Sequence, residues 1–526
     1  MLKEKNYKKL INKFLTVNLC NLPPEKKLAL FILTFFLFSL TLVSSFYLTK
    51  KWVTSDFQKR DKHLFSTSIN TPHITKNLFQ PETNVNPIEK NFPVENTKNL
   101  NSTSAIDVTD CYFLSEGSIW SPKYDGATFR FGGTDTNAVY RRVILPVLTD
   151  TEYTGGYFQI KGEYPDSTYF SYHLNDEKTH FISKLTDYEI YPDANSTNPF
   201  QTGGKISQQP LRYSKNNFYT LNITEQEMGL PNTLQGGFLD GVKIEQNVIM
   251  YRIYEPHDQQ REGRVKIPQI YFQPKENQVI DKEKFCQFMQ QNFQRKGDKM
   301  AIFMENKILD KKMQKLAQEA DSQKIPGYQP PNPVSWIIGT DFPGMIKYAF
   351  PSIPLEPSGH PTGANMDTRY LAGYLDPHKE VTLIRFKAPK INEQVRYWSI
   401  GSYQPFNGLM YAYDCSRYNE LLITPDNYVN MVFSMRKNKP SSACSKEEIA
   451  QKKTNCLYNW MEYSGPATLI WIRQLVSDTS YPESLIYYQD DPYNSEAIKA
   501  HLKEYYPQAI YCSRTDFEEK GWSCFE

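Results

Sequence analysis

Aromatic and guanidinium side chains crowd residues 395–418, the stretch of the chain best suited to binding a ligand. It contains Trp398, Tyr403 and Tyr418 beside Arg417. Aromatic rings next to a guanidinium can stack on a sugar or a peptide. Because side chains alternate along a strand, roughly half of them would be buried anyway, and core packing is the competing interpretation. Of the two interpretations, core packing is favoured, and the functional hypothesis is a ligand-binding face formed by these four residues.

Signatures of catalysis are scarce in the sequence. The eight histidines are scattered, without a His-Glu-x-x-His or His-x-His motif, and no Gly-x-Ser-x-Gly, Walker loop or dinucleotide fingerprint stands at a strand–helix junction. The absence of Cys-x-x-Cys argues against zinc, and we expect no metal and no cofactor. Paired carboxylates for acid–base chemistry are defined by their separation in space, which a linear chain does not show.

The most distinctive segment is DYEIYPDANSTNPF, residues 187–200. Asp193 and Asn195 alternate oxygen ligands as a calcium loop does, but the sixth position holds Asn198 instead of Gly and the twelfth lacks Glu. Half of the ligand set is therefore missing. A turn in which Asp193 and Asn195 bond nearby amides is the better interpretation.

Two arginines, Arg252 and Arg473, interrupt otherwise apolar strands. A buried guanidinium is stable only when it is paired and hydrogen-bonded. We expect each arginine to pair with a carboxylate of its own lobe, with Asp187 and Asp426 as candidates. The expected role is structural.

The residues after 105 predict a mainly β body. Short alternating runs rich in Tyr, Phe, Ile, Val and Thr recur roughly every 10–20 residues between turn formers, as in sandwich or jelly-roll sheets. Apolar residues at helical spacing predict two helices, 282–294 and 298–320, and a last helix near 495–505. The predicted order is a first β lobe over 106–275, a helical connector over 276–325 and a second β lobe with a Cys-containing tail over 326–526.

An internal repeat relates the two lobes. Six features of the first lobe recur in the same order in the second: Asn137 with Asp367, Ile160 with Phe386, Tyr169 with Tyr397, Tyr188 with Tyr418, Asp193 with Asp426, and Arg252 with Arg473, at offsets of 230, 226, 228, 230, 233 and 221 residues. One such match is worthless, but six at nearly one offset favour two copies of one β module. The alternative is coincidence in an aromatic-rich β sequence.

A charge-free run of 21 residues, 28–48, predicts one transmembrane helix. At 1.5 Å per residue it covers about 30 Å, the thickness of a bilayer core. Residues 1–51 hold nine Lys and two Glu, and this bias favours a cytoplasmic tail over 1–27. A polar stretch over 49–105 predicts a disordered stalk. The chain is thus expected in the inner membrane, with its body periplasmic or extracellular; a cleaved signal peptide is the alternative.

Eight cysteines divide into Cys20, before the apolar run, and seven after it. Two candidate disulfides, Cys444–Cys456 and Cys512–Cys524, each enclose 11 residues, and such a closure contributes about 3 kcal/mol in the chain-entropy model. Seven is odd. At least one external thiol is therefore free or bridges another chain.

The segment 187–200, the strings PNTLQGG and MYRIYEPHD, and the later RYWSIGSYQ and DCSRYNELLITPD resemble uncharacterised secreted or envelope bacterial β-rich proteins. Their signature is D-Y-x-I-x-P-D-x-x-S-x-N-P-F, usually with Gly where this chain has Asn195. The resemblance covers most of 110–480. It implies a β fold and an envelope location, and it carries over no activity and no catalytic residue.

Charge and topology bound the function. The residues after 51 carry 51 basic and 56 acidic groups, which argues against a nucleic-acid partner. The sequence predicts a membrane-anchored envelope protein of unknown activity, a non-enzymatic binding or structural module for glycan or protein partners. The alternative is a glycan- or ester-directed hydrolase with its site at the lobe junction.

Overall fold

The computed structural model describes residues 105–525 of the 526-residue chain, except 112–118, 129, 131, 212, 297–306, 320–321, 323, 326, 340, 352–359, 362 and 407–408. The described residues belong to one compact unit, Thr97–Glu526. The predicted cytoplasmic tail, the predicted transmembrane helix and all but the last residue of the predicted stalk lie outside the described residues. Within the described part, no helix is long and apolar enough to cross a bilayer.

The first half contains two five-stranded sheets. Its described strands are β1 (Ile106–Asp107), β2 (Tyr124–Asp125), β3 (Ala138–Pro146), β4 (Tyr157–Glu163), β5 (Ser167–Asn175), β6 (Phe181–Thr186), β7 (Phe218–Thr224), β8 (Thr233–Gln235), β9 (Phe238–Leu239), β10 (Val242–Lys243), β11 (Gln246–Pro256) and β12 (Gln269–Gln273). Outer sheet 1 has the order β1-β12-β4-β7-β8, and inner sheet 1 has the order β2-β3-β11-β5-β6. Strands β9 and β10 form a separate hairpin.

The second half repeats this arrangement. Its described strands are β13 (Trp336–Gly339), β14 (Thr368–Leu375), β15 (Val381–Lys387), β16 (Val395–Phe406), β17 (Leu409–Arg417), β18 (Tyr428–Ser434), β19 (Ala443–Cys444), β20 (Tyr458–Glu462), β21 (Thr468–Ser477) and β22 (Gln508–Cys512). Inner sheet 2 has the order β13-β14-β21-β16-β17, and outer sheet 2 has the order β19-β20-β18-β15-β22.

Eight strands of each half occupy equivalent places. The order β3-β11-β5-β6 matches β14-β21-β16-β17, and β12-β4-β7-β8 matches β22-β15-β18-β20. The match includes the parallel pairs β7-β8 and β18-β20 within largely antiparallel sheets. An accident of aromatic composition does not reproduce strand order and direction, so the topology supports the repeat found in the sequence.

Two asparagines at equivalent positions perform the same task. Asn232 accepts a bond from the amide of Tyr191 and donates to its carbonyl, both at 2.8 Å. Asn459 does the same to Leu422, at 2.7 and 2.9 Å. Each clamp joins the segment after a short 3-10 turn to the outer sheet of its half. The equivalence therefore extends to single side chains.

Helices connect and cover the sheets. They are α1 (Lys282–Lys296), α2 (Lys307–Gln318), α3 (Phe342–Ala349), α4 (Lys446–Ala450), α5 (Ser495–Leu502) and α6 (Arg514–Lys520). The first two lie where the helical spacing predicts them, although the start of the second predicted helix falls outside the described residues. Phe285 and Met289 of α1 are fully buried in the core of the first half, so α1 packs on the sheets.

Each pair of sheets encloses one hydrophobic core. In the first half, Phe158 and Leu221 of outer sheet 1 share a core with Tyr172 of inner sheet 1. In the second half, Met431 of outer sheet 2 shares a core with Ile400 of inner sheet 2. The two sheets of each half therefore pack face to face, and the fold is mainly β, as predicted.

The two inner sheets also pack against each other. Strands β3, β5 and β21 are buried along their whole length, on both faces. Tyr140, Tyr169 and Tyr254 of inner sheet 1 form a cluster with Tyr397 and Leu475 of inner sheet 2. The rings of Tyr254 and Tyr397 meet edge to face, with centroids 5.5 Å apart. The body is thus four β layers, with the junction between its halves at the centre.

Each half extends an arm along an edge strand of the other. Arm 1 (130 and 132–137) bonds β17 through the amide of Ala412 to the carbonyl of Arg130, at 2.6 Å. Arm 2 (360–361 and 363–367) bonds β6 through the amide of Phe181 to the carbonyl of Pro361, at 3.0 Å. The arms are equivalent in position and cover sheet edges that would otherwise present unpaired backbone groups. Each half thus covers one edge strand of the other half.

Three disulfides are present in the described residues. Cys444–Cys456 and Cys512–Cys524 confirm the two predicted bridges, and Cys111–Cys286, which was not predicted, attaches α1 to the start of the first half. The remaining described cysteine, Cys415, is a buried free thiol, as the odd number requires. The bridge at Cys512 holds α6 against outer sheet 2, where Phe517 is buried.

Candidate functional site

Two of the predicted ligand-binding residues are core residues. Trp398 has no exposed surface and packs against Phe386, with ring centroids 5.8 Å apart. Tyr403 is also fully buried, and its hydroxyl accepts a bond from Arg473 at 2.7 Å. The prediction of an exposed aromatic face is wrong for both. Their strand, β16, lies inside a sheet that is covered on both faces. The side chains on either face of this strand are therefore shielded from solvent.

The other two predicted ligand-binding residues lie at the rim of the junction. Arg417 makes an ion pair across it, with Nη1 at 2.8 Å from Oε1 of Glu255. The ring of Tyr418 packs edge to face on Tyr397, at 6.2 Å between centroids, and burial raises the pKa of Tyr418 to about 12. Both side chains are already engaged in joining the halves. Their role in ligand binding stays a prediction.

A fully buried carboxylate, Asp135, stands at the centre of the junction on the side of arm 1. Tyr397 and Ser399 of the other half donate to its Oδ2 at 2.8 and 2.7 Å. Nη1 of Arg473 lies 3.3 Å from the same oxygen. Burial raises the pKa of Asp135, but the Arg473 charge and the hydrogen bonds outweigh it and leave the pKa lowered. Asp135 is held as the anion.

Asp367 of arm 2 occupies the corresponding place in the opposite direction. Tyr169 and Thr186 of the first half donate to its carboxylate at 2.6 and 2.7 Å, and Lys184 makes an ion pair with it. Burial raises the pKa of Asp367, but Lys184 and these hydrogen bonds bring it to about 2. This side chain, too, is ionised and surrounded by donors of the other half.

The two arms present a pair of polar hooks, Asp135-Thr-Asn137 and Asn365-Met-Asp367. In each hook the amide of the third residue donates to the side chain of the first, at 2.9 and 3.1 Å. The tyrosines that enter the hooks, Tyr169 and Tyr397, are the repeat-related pair 228 residues apart. Each half therefore inserts the same tyrosine into the hook of the other, as two copies related by a two-fold axis would do.

The repeat-related arginines enter the same hooks. Arg473 pairs with Asp135 and also donates to the carbonyl of Gly133. Arg252 donates to the carbonyls of Gly363 and Ala364, at 3.1 and 3.3 Å. The hooks carry their acid and amide in reversed order: Asn365 stands where the other hook has Asp135, and Arg252 bonds backbone carbonyls next to it. The predicted pairing of each arginine with a carboxylate of its own lobe is wrong, because the carboxylate that Arg473 pairs with and the carbonyls that Arg252 bonds belong to the other half.

The two predicted partners of these arginines lie elsewhere. Asp187 is fully buried, and both of its oxygens lie 2.8 Å from Nη1 of Arg396, across the junction. Burial raises the pKa of Asp187 to about 6, against the opposing effect of Arg396. Asp426 is exposed, 3.9 Å from Arg385, and accepts a bond from Thr424 at 2.6 Å. Neither carboxylate contacts Arg252 or Arg473.

The distinctive segment 187–200 is a stabilised turn. Asn198 donates to the carbonyls of Asp187 and Ile190, at 2.6 and 2.8 Å, and Asp193 accepts from the hydroxyl of Thr220 at 3.1 Å. The bond of Asp193 to a hydroxyl replaces the predicted bond to an amide. Asn195 has φ of 64°, a conformation that favours glycine and asparagine.

Comparisons with known proteins add no function. No family model and no curated protein matches the chain. It is similar to an uncharacterised protein from Burkholderia cenocepacia, with a TM-score of 0.36 and 9% identity over 74% of this chain and 83% of that one. It is also similar to the VPA0106 protein from Vibrio parahaemolyticus, with a TM-score of 0.32 and 13% identity over 73% and 91%. At TM-scores this low, neither structure supports a statement about this chain.

The charged side chains at the centre of the junction bond to one another across it. Asp135, Asp187 and Asp367 each face a cation and at least one further donor; Asp135 and Asp187 have no exposed surface, and Asp367 is 7% exposed. An acid–base pair must reach its substrate from a cleft. Among the described residues, no three His, Cys, Asp or Glu side chains converge on a point that could hold a metal ion.

Proposed function

We propose that this chain is a membrane-anchored envelope protein whose body, two copies of one β module, is a non-enzymatic binding module for a glycan or protein partner. The apolar run over 28–48 and the lysine excess before it support the anchor. Three disulfides suit an oxidising compartment outside the cytoplasm. The resemblance to secreted β-rich proteins agrees with both.

The state of the junction carboxylates is the observation that carries the proposal. A hydrolase at the junction would need an accessible acid and base with separated pKa values. Here the candidates are buried ions whose oxygens are occupied by tyrosine, serine, threonine, lysine and arginine donors. Because the two halves are joined through buried polar contacts, the body suits a rigid scaffold that binds its partner on its outer surface.

A direct experiment measures binding and turnover on the same sample. The full chain in lipid nanodiscs is incubated with labelled envelope glycans and with ester substrates, and empty nanodiscs serve as the control. We expect glycan or a protein partner to be retained and recovered without cleavage. Release of shortened glycan or free acid above the control would contradict the proposal and favour the hydrolase.

The anchor is tested separately by protease treatment of spheroplasts. The body should be digested from outside, while a cytoplasmic marker protein stays intact. Full protection of the body until the membrane is lysed would contradict the proposed topology. Binding by the body does not depend on this result.

A further inference from the structure

A cleft of about 470 Å³ opens on the first half, away from the buried ions of the junction. Its volume lies within the range of about 300–1,000 Å³ that small-ligand sites occupy. The segments around Pro165, Pro199, Leu211 and His257 line it. Neither the candidate residues of the sequence nor the junction accounts for it.

One wall of the cleft carries an acceptor between two donors. Asp166 accepts from Nδ1 of His257 at 2.9 Å and pairs with Nε of Arg264 at 3.0 Å. Its own side chain is 13% exposed, whereas those of His257 and Arg264 are 49% and 55% exposed. The carboxylate therefore orients an imidazole and a guanidinium whose outer faces remain open to solvent.

This wall is held in place by its backbone. The amide of Asp166 donates to the carbonyl of Gly263 at 2.8 Å, and the amide of His257 donates to the carbonyl of Asp166 at 2.9 Å. Gly263 has φ of 68°, and a Cβ there would lie 2.6 Å from Cβ of Pro165. Asp258 accepts the amide of Gly263 at 2.7 Å. The three polar side chains are thus preorganised.

The opposite wall is apolar and is fastened to the second half. Pro199, Pro210 and Leu211 face the cleft, and the amide of Leu211 donates to the carbonyl of Pro199 at 2.8 Å. Next to them, Gln209 donates to the carbonyl of Arg396 at 2.9 Å. Arg396 also pairs with Asp187 across the junction, so this wall of the cleft is bonded to the second half.

The charges of the described residues that line the cleft do not favour a strongly charged ligand. Asp166 and Arg264 cancel each other formally, and Glu163 accepts the hydroxyl of Tyr213 at 3.3 Å. Among these described residues, an anion would meet no formal net positive charge. A hydroxyl group both donates and accepts, which matches a carboxylate flanked by a guanidinium and an imidazole.

Proline lining also argues against a peptide. Peptides that bind as an extra strand need a ladder of backbone N–H and C=O groups. Pro165, Pro199 and Pro210 have no N–H to give. Their rings and that of Tyr213 offer instead flat C–H and aromatic faces, on which sugar rings can stack.

We infer that this cleft binds a neutral, hydroxyl-rich glycan segment, with Asp166, His257 and Arg264 on its hydroxyls and the proline and tyrosine faces on its rings. The inference rests on the proposed binding function and specifies its ligand class. Arg264 and His257 act as the polar contacts, and Asp166 positions them. The loop of Pro210 and Leu211 closes the far side.

The test titrates neutral oligosaccharides into the full chain in nanodiscs, which avoid the sugar headgroups of common detergents. The probes are tetra-N-acetylchitotetraose and maltotetraose, with a proline-rich peptide and inorganic phosphate as competitors. Calorimetry compares the wild-type chain with Arg264→Gln and His257→Gln. Arg514→Gln is the matched control, since Arg514 is similarly exposed and pairs with Glu518 on α6.

We expect saturable binding of at least one oligosaccharide and a loss of affinity of roughly ten-fold or more in Arg264→Gln and His257→Gln, because each removes a hydrogen bond to a charged or strongly polar group. The control should bind like the wild-type chain, and all variants should unfold at nearly the same temperature. Absence of sugar binding, undiminished binding by both variants, or displacement by the peptide or phosphate would overturn the inference. Cleavage of a bound sugar would instead contradict only the proposed non-enzymatic function.

Discussion

At the scale of residues, the junction rests on two tyrosine hydroxyls that make the same bond in opposite directions. Tyr169 donates to Asp367 at 2.6 Å, and Tyr397 donates to Asp135 at 2.8 Å. Removing a single hydroxyl from a buried bond to a charged acceptor costs about 1.5–3 kcal/mol. We expect Tyr169→Phe and Tyr397→Phe to lower the free energy of unfolding by similar amounts in this range, as measured by denaturant unfolding.

Tyr191→Phe is the control for this pair, because Tyr191 is 64% exposed and its ring stands outside the junction. It should unfold like the wild-type chain. A loss confined to only one of the two junction variants would show that the hooks are not equivalent in energy, although they are equivalent in position.

The ionisation of Asp367 predicts a dependence of stability on pH. Its pKa is about 2 in the folded chain, against 3.8 for an ordinary aspartate. As pH falls through this interval, the unfolded chain takes up a proton before the folded chain does. The stabilisation is therefore complete above pH 4 and is lost toward pH 2, and it amounts to about 2 kcal/mol.

Acid titration of unfolding in Asp367→Asn should consequently give a lower stability at pH 7 and a flatter dependence between pH 4 and 2. The same substitution at the exposed Asp490 should leave the wild-type curve in place. If the free energy of unfolding of Asp367→Asn falls as steeply between pH 4 and 2 as that of the wild-type chain, other carboxylates cause the loss of stability in acid.

The hooks could not be predicted from the sequence residue by residue. The repeat marked Tyr169, Tyr397, Arg252 and Arg473 as equivalent, and these do converge on the junction. Their partners, however, belong to the other half, and an aspartate in a solvated turn looks the same in sequence as the buried Asp135. The Asn-for-Asp exchange between the repeats was the available signal for the hooks.

At the scale of elements, the arms depend on two equivalent glycines with different surroundings. Gly133 and Gly363 both have positive φ, 68° and 60°. A Cβ on Gly133 would lie 2.6 Å from the ring of Trp471, whereas one on Gly363 would have its nearest neighbour at 4.0 Å. We expect Gly363→Ala to cost about 1 kcal/mol for the backbone conformation, and Gly133→Ala about 1–3 kcal/mol more for the clash. Thermal unfolding of both variants measures the difference, and equal losses would contradict the packing of arm 1.

The C-terminal helix depends on its disulfide. Replacing Cys512 and Cys524 by serine should lower the free energy of unfolding by about 3 kcal/mol and speed amide exchange in α6, because the bridge closes an 11-residue loop. The equally spaced pair Cys444 and Cys456 supplies the control. Its removal should leave exchange in α6 unchanged. Slow exchange of α6 without its own bridge would show that the burial of Phe517 suffices to hold it.

Helices and strands whose apolar residues recur with a helical or an alternating period could be predicted from the sequence, whereas segments without such a period could not. The helical spacing of apolar residues located α1, α2 and α5, and alternation located most long strands. The arms have neither period, because they are irregular segments whose backbone bonds go to the other half. Strands β3 and β5 carry polar side chains among their apolar ones, so their sequences gave no hint that both of their faces are buried.

At the scale of the whole molecule, reciprocal arms, hooks and ion pairs make the two halves one body. The interface resembles that of a symmetric dimer whose copies are joined in one chain. This arrangement explains why the carboxylates of the junction are buried, and why the cleft proposed to bind a glycan has a wall that is bonded to the second half. Substitutions that break the contacts of the junction should therefore weaken binding at the cleft as well as lower the free energy of unfolding.

Native-state hydrogen exchange of the full chain in nanodiscs, followed by mass spectrometry at increasing denaturant, shows whether the two halves open as one body. Peptides from β3 and β11 report the first half, and peptides from β14 and β21 report the second. If the halves are locked, the protected amides of all four strands open together, with one dependence on denaturant. Exchange of one half at lower denaturant, while the other stays protected, would show that the halves open separately and are not one body.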